Sequence, residues 1–340
     1  MIGLSIKNRK RAILHTAILF PLVLLLISLS LGTLKISLRE VLEILLARIS
    51  GGPSALLASP MANIVLNIRL PRVILALLAG AAFSVSGASL QSLFRNPLVN
   101  EYILGVSFGA GFGAAASLVL LSRNFPPQVL AFVCGLLAVA LVLTISGGAR
   151  NTLVAVLLTG IIVSALFQAL LSALEFVASP YALQALFFWL LGSFSQATWP
   201  DLLWSAPLIL AGLALLLKMG WRINALSLSD DEASSLGLAV KRERILIICL
   251  TTLITSAVVS IAGIIGWVGL IVPHAVRGLV GADNRLVLPV SAGFGASLML
   301  LADDLIRTLS PFEFPVGILT SLVGIPFFLF LIKRGKASWS

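Results

Sequence analysis

Groups able to do covalent or metal chemistry are few in this chain and poorly placed for it. Its two histidines are His15, inside a long apolar run, and His274, which follows Pro273; both read as packed or interfacial side chains. No pairing of His, Cys or carboxylate has metal-ligand spacing, so no metal site is expected. Cys134 and Cys249 each lie within an apolar block, where a small core residue is a simpler reading than a disulfide. Serine is abundant, but no histidine has an acid to orient it, which argues against a nucleophile–base pair. Glycines gather around Gly109, yet no strand pattern precedes them and no Gly-Lys-Ser/Thr follows, which excludes a phosphate-binding loop. No catalytic residue and no bound cofactor are expected.

The charged residues are better suited to recognition. Glu175, Asp303 and Asp304 fall near the ends of apolar runs, whereas an ion-coupled carrier keeps ionisable groups near the bilayer midplane. Their placement argues that driving energy comes from another molecule. The most polar stretch is 221–244, with Asp230, Asp231, Glu232, Lys241, Arg242, Glu243 and Arg244. Ser229 can cap a short helix whose acids suit its N-terminus, and Gly237 can end it. Such a helix, set between two apolar runs, is a docking element that calls for a partner.

The elements that position these groups follow from composition. Of 340 residues 59% are apolar and 11% charged, whereas a soluble domain carries roughly 25% charged residues. The apolar residues form long blocks, of which a bilayer core about 30 Å thick needs about 20 residues each. Inside lipid such blocks must be helical. Ten spans can be drawn, at about 12–31, 70–93, 102–122, 129–147, 152–176, 202–218, 245–265, 266–281, 286–307 and 316–333, the eighth being short and interrupted by Pro273. The run near Lys7–Arg11 opens like a signal peptide, but is too long and lacks a small-residue cleavage pattern; it reads as a retained first span. An even count puts both termini on one side, and sorting by this map places 16 of the 23 Lys and Arg residues there. The positive-inside rule makes that side, with the 219–244 loop, cytoplasmic. The net charge of +10 is thereby explained without nucleic acid. Residues 32–69 read as an exterior loop or short surface helix, and 177–201 as a broken exterior turn. Gly80, Ser84 and Gly87, like Gly293, Gly295 and Ser297, are small residues of the kind that let spans pack closely.

Several local strings are more specific. Arg69-Leu-Pro-Arg72, Phe94-Arg-Asn-Pro-Leu98, Leu104-Gly-Val-Ser107 and Trp189-Leu-Leu-Gly-Ser193 occur in order. Leu236-Gly-Leu238, Val268-Gly-Leu-Ile-Val-Pro-His274, Asp283-Asn-Arg285, Phe314-Pro-Val-Gly317 and Gly324-Ile-Pro326 follow. Over about 65–333 the set resembles the FecCD-type permeases, membrane subunits of ABC importers for iron-siderophores, haem and cobalamin. The resemblance implies a single all-α permease domain over 1–340, multi-pass in a prokaryotic cytoplasmic (inner) membrane and paired with a second copy of itself. Two cytoplasmic ATPase subunits, which would bind ATP and Mg, and an exterior solute-binding protein would complete the importer. It implies that the 229–240 helix seats in the ATPase, with Asp230, Glu232, Ser235, Leu236 and Gly237 as contacts. It also implies that Arg69, Arg72 and Arg307 meet acidic residues of the binding protein; lipid-headgroup anchoring is the alternative. The path would run along the fifth and tenth spans, near Leu170, Leu174 and Ser321. The expected cargo is a metal chelate, iron-siderophore first, with haem, cobalamin or an oxyanion as alternatives. The rival from another class is an ion-coupled secondary transporter.

Overall fold

The computed structural model describes residues 6–52, 54–121, 125–147, 153–309 and 314–333, and every regular element among them is helical. The chain opens with α1 (Ile6–Ser30), α2 (Leu38–Ser50), α3 (Ser54–Leu57) and α4 (Pro60–Asn63), then passes through a π-helical turn, Ile64–Arg69, into α5 (Leu70–Leu93). A one-turn 3-10 helix, Glu101–Leu104, precedes α6 (Val106–Leu120), α7 (Pro127–Gly147), α8 (Leu153–Val177) and α9 (Pro180–Leu190). Next come α10 (Trp199–Lys218), α11 (Gly220–Leu226), α12 (Asp230–Ser235), α13 (Val240–Ala262), α14 (Val268–Val280), α15 (Asn284–Leu309) and α16 (Val316–Lys333).

Among the described residues seven helical stretches, in α1, α4–α5, α7, α8, α10, α13 and α15, are long and apolar enough to cross a bilayer. The other three predicted spans are the shorter apolar helices α6, α14 and α16. The shortening of α14 has a local cause. Gly263 and Trp267 both take positive φ, at 71° and 72°, so the helix starts only at Val268. Its 13 residues reach about 20 Å, short of a full crossing. The irregular backbone before it is tolerated because protein rather than lipid surrounds it: Gly263 and Ile265 are buried.

α5 is the hub, with 21 of its 24 residues buried among α10, α13, α14 and α15. Close approach requires glycine at two crossings: a Cβ on Gly80 would overlap the backbone of Gly295 in α15, and one on Gly87 would overlap the backbone of Gly269 in α14. The packing role expected of these small residues is what they perform. α8 lies at the periphery, with 17% of its span buried.

The two segments expected outside the membrane, 32–69 and 177–201, both contain short helices. Residues 32–69 contain α2, whose Ser37–Glu40 capping box starts it and whose Val41, Ile44 and Ala47 are buried. The broken turn at 177–201 holds α9 and then dips inward: Phe194 is fully buried and Ser193 N–H donates to Ala262 O at 2.8 Å.

Candidate functional site: two charged ends and a cavity

The short helix expected over 229–240 forms as α12, confined to Asp230–Ser235. The Ser229 hydroxyl accepts from Glu232 N–H at 3.3 Å, while Glu232 Oε2 accepts from Ser229 N–H at 2.9 Å and from its hydroxyl at 2.7 Å. That capping box uses the Glu232 carboxylate, and the bonds from Ser229 hold its pKa below the usual value. The other end closes in a Schellman motif: Gly237 N–H donates to Ser234 O at 2.9 Å and Leu238 N–H to Ala233 O at 3.3 Å, with Gly237 at φ 84°. Ala233 is buried, Ser235 is exposed with its hydroxyl donating to Asp231 O at 2.8 Å, and Leu236 is 50% exposed.

Asp230 has a second role. Arg244 of α13 grips it bidentately at 2.9 and 2.5 Å, and Arg95, just past α5, reaches it at 3.2 Å. The hydrogen bonds from Arg244, more than its charge or that of Arg95, hold the Asp230 carboxyl below its ordinary pKa against the opposing effect of burial. Arg95 also donates to Leu228 O and sits at φ 50°. α12 is thereby pinned to the end of the hub helix and to the start of α13, so a displacement of α12 acts on both.

At the opposite end the structure revises the picture of three outward-reaching arginines. Arg69, Arg72 and Arg307 are turned inward. Arg72 chelates Asp303 through Nε at 3.0 and 3.1 Å and Nη2 at 2.8 Å, and Arg307 Nε lies 3.0 Å from the same carboxylate. Arg307 also pairs with Asp304, which accepts from the Ser28 hydroxyl at 2.5 Å. Arg69 donates to Leu29 O at 2.8 Å and to Leu34 O; Arg307 donates to Ser28 O at 3.0 Å and Leu31 O at 3.2 Å. The residues are only 5% (Arg69) and 8% (Arg72) exposed, with the Arg307 side chain at 8%. The physical reason is internal supply: Asp303, Asp304 and the carbonyls ending α1 satisfy guanidinium groups that were expected to seek carboxylates elsewhere. The cluster ties α1, α5 and α15 together.

Alongside α14 and α16 lies a cavity of 590 Å³, whose lining includes Asn100, Tyr102, Ile264, Trp267, Ser321 and Ile325 and no charged side chain. Ser321, expected near a path, is there. Leu174 instead packs beside the small cluster of Ala115, Leu171 and Leu186, and Leu170 is 40% exposed.

One buried acid was missed from sequence. Glu101, in the turn before α6, is 2% exposed and neither carboxyl oxygen has a hydrogen-bond partner on another residue. It lies against Gly269 and near Phe83 O: a Cβ built on Gly269 would stand 2.7 Å from Glu101 Oε2 and 2.9 Å from Phe83 O. Phe83 is ten residues before the end of α5, so this carboxyl sits about 15 Å from that helix end, deep in the bundle. In sequence Glu101 follows Asn96-Pro-Leu-Val-Asn100, a stretch opened by a turn-like Asn-Pro, and looks like a loop residue. The only available signal was its position directly before Tyr102-Ile-Leu, where the next apolar run starts.

These features agree with the comparisons. The FecCD transport family matches residues 19–334. The molybdate import system permease protein MolB of Haemophilus influenzae is 39% identical, covering 94% of this chain and 97% of its own length. The hemin transport system permease protein HmuU of Yersinia pestis is 40% identical, covering 81% and 85%. A probable iron chelatin transport system permease protein of Helicobacter pylori is 41% identical over 82% of this chain and 85% of its own. A solved inward-facing structure assigned to a metal-chelate type ABC transporter superposes with a TM-score of 0.85 at 35% identity, covering 95% of this chain and 99% of that one. With the ordered motifs and the helical architecture now matched along nearly its whole length, the chain belongs to the FecCD transport family.

Proposed function

We propose that this chain is the membrane permease of a binding-protein-dependent importer for a metal chelate, working by alternating access and driven by two separate ATPase subunits. The observation that carries the reading is the pinned helix α12: a capped element with an exposed leucine, braced to α5 and α13, suits the transfer of a push from a cytoplasmic motor. The sequence has no nucleotide-binding loop of its own, so ATP and Mg belong to that partner. The contacts offered to the ATPase are Ser235, Leu236 and the Gly237 turn, with Asp230 and Glu232 holding the helix in shape.

The chemistry of the cavity favours a chelate over a bare oxyanion. An oxyanion needs cationic or N–H donors to replace its water, and the lining offers none that is charged. A metal enclosed in an organic shell asks only for a smooth, weakly polar wall. Iron-siderophore remains first, with haem and cobalamin next. A second copy of this chain completes the wall: Asn100 and Tyr102 cannot face lipid tails without cost. Docking of the exterior binding protein falls to surfaces around the Arg69–Arg72–Arg307 cluster, which fixes their shape rather than gripping the partner.

The test is reconstitution in vesicles with a candidate ATPase and a chelate-loaded binding protein. Uptake that requires all three components is the expected result. Uptake that follows an ion gradient without ATP would replace this reading with secondary transport, for which Glu101 would be the coupling group.

A further inference from the structure

The buried carboxyl of Glu101 has no place in the proposed transport cycle, yet it is the least satisfied group in the core. Neither oxygen meets a donor from another residue, the one favourable approach being that of its own backbone N–H, and it is 2% exposed. A carboxylate in that condition forgoes several kcal/mol of hydration, a cost that disappears when the group carries a proton. The groups around it offer no counter-charge. On the same turn the titratable neighbour is Tyr102, whose hydroxyl points toward Gly266. α6 and α7 contain no Asp, Glu, Lys, Arg or His, and Cys134 is the only titratable side chain in α7. The one acid of α8, Glu175, lies eleven residues beyond Ser164, the hydroxyl of which approaches Tyr102 O at 3.5 Å; that is about 16 Å along the helix. In α13 the charged residues, Lys241 to Arg244, are confined to the first turn, with Cys249 a turn further on. The single charged residue of α5, Arg72, is committed to Asp303 at the far end. From α14 come His274 and Arg277, and Arg277 is engaged with Gln91, with Ala88 O at 3.0 Å and with the Ser92 hydroxyl at 3.1 Å.

The contact surface of Glu101 is equally specific. It rests on Gly269, the second residue of α14, while the same stretch of α14 presents Trp267 and Leu270 to the cavity. The backbone entering α14 is held in positive φ at Gly263 and Trp267, the second a costly conformation for a tryptophan. α14 therefore has the cavity on one side, a buried carboxyl without a counter-charge on the other, and a strained entry.

We propose that Glu101 is a proton-binding site that sets the position of α14: the packed arrangement holds the neutral acid against Gly269, and loss of the proton drives α14 away so that water can reach the carboxylate. The reaction is one proton released to solvent through the widened α5–α14 seam, with no other bond changed. Protonation then favours the packed form at low pH, and the preference is lost as pH rises. For one linked proton the ratio of packed to displaced α14 falls by up to about tenfold per pH unit above the titration midpoint.

This inference rests on the alternating-access reading only for its physiological meaning, and its test needs neither ATP nor cargo. The full chain would be placed in lipid nanodiscs with spin labels on α14 and α7, and the distance between them followed from pH 5 to pH 9, together with the infrared carbonyl stretch of protonated carboxyls. The expected result is a protonated-carboxyl band at low pH that is absent in Glu101→Gln and fades on alkalinisation in step with a lengthening label distance. The Glu101→Gln distance should stay fixed in its packed value. A wild-type distance indifferent to pH, or a band that titrates without any movement, overturns the proposal even if Glu101→Gln cannot be purified. Failure of ATP-driven uptake in vesicles, by contrast, would count against the transport reading alone.

Discussion

Asp303 receives two guanidinium groups, from Arg72 and Arg307, while its side chain is 1% exposed. Removing the carboxylate charge takes the shared anion from two buried guanidinium groups, although Arg307 keeps Asp304, so Asp303→Asn should cost about 3 kcal/mol of stability. The measurement is the midpoint of thermal unfolding in detergent, which should fall well below wild type. An apolar replacement of both partners, Arg72→Met with Asp303→Leu, should recover most of that loss, because no unpaired charge remains at that pair. A midpoint unchanged in the single variant would mean that the cluster is better hydrated than its burial shows. Reversal of Arg72 to Glu should accordingly disturb folding before it disturbs docking. The sequence displayed the chemistry here, arginine forks seeking carboxylates, but not the partner, which stands 231 residues away. Glu101 was hidden for the opposite reason. Its local sequence reads as a turn, and only the tertiary position of Gly269 shows that the turn is buried.

Local patterns were legible at the scale of the element because their physics is local. Ser229, Glu232 and Gly237 define α12 within nine residues, and the capping box and Schellman turn form as that spacing predicts. The ten apolar runs likewise became helices, since nothing else satisfies backbone groups in lipid. The shortening of α14 and the inward dip after α9 depend on backbone torsions and on long-range bonds such as Ser193 to Ala262 O, which periodicity does not encode. Two predictions belong to α12. Gly237 has open space around its Cβ position but sits at φ 84°, so Gly237→Leu meets torsional strain of about 1–2 kcal/mol rather than a clash. The end of α12 should unwind, and ATP hydrolysis in the assembled importer should continue with uptake reduced about tenfold, as that strain converts to an equilibrium of bent and native turns. Normal stoichiometry between hydrolysis and uptake would remove α12 from the coupling route. The second concerns the anchor. Hydrogen bonds from Arg244 lower the Asp230 pKa, so the anchor strengthens the fold above the unfolded carboxyl pKa and is lost only as pH falls through the depressed folded value. Amide exchange over 229–240 should be slow at neutral pH and faster in Asp230→Asn, and the wild-type segment should loosen only in acid. Equal protection in both proteins would show that Arg95 and Arg244 do not hold the helix.

For the molecule as a whole, we propose that the cavity beside α14 and α16 is completed by a second copy of the chain. Its wall includes Asn100 and Tyr102, neither of which is fully buried within one copy. Apolar surface alone does not ask for a protein partner in a bilayer, because lipid covers it equally well. Polar side chains at a cavity mouth do ask for one, and a second copy related by a two-fold axis brings the same wall to face itself. If the two cavities merge into one path, blocking one side blocks both. A tandem fusion of two copies separates the alternatives. Ser321→Trp placed in a single half should abolish uptake while leaving hydrolysis of ATP by the attached motor intact. If each copy instead carries its own path, about half of the uptake should survive, since a two-fold assembly contains two equivalent routes. The same fusion with Ser321→Ala in one half controls for loss of the hydroxyl, and should transport at the wild-type rate if the side chain matters for the space it leaves rather than for a bond it makes. Within this chain the Ser321 hydroxyl donates to Gly317 O at 2.8 Å, a bond internal to α16. It needs nothing from the cargo, which is what a smooth wall for a bulky, weakly held chelate requires.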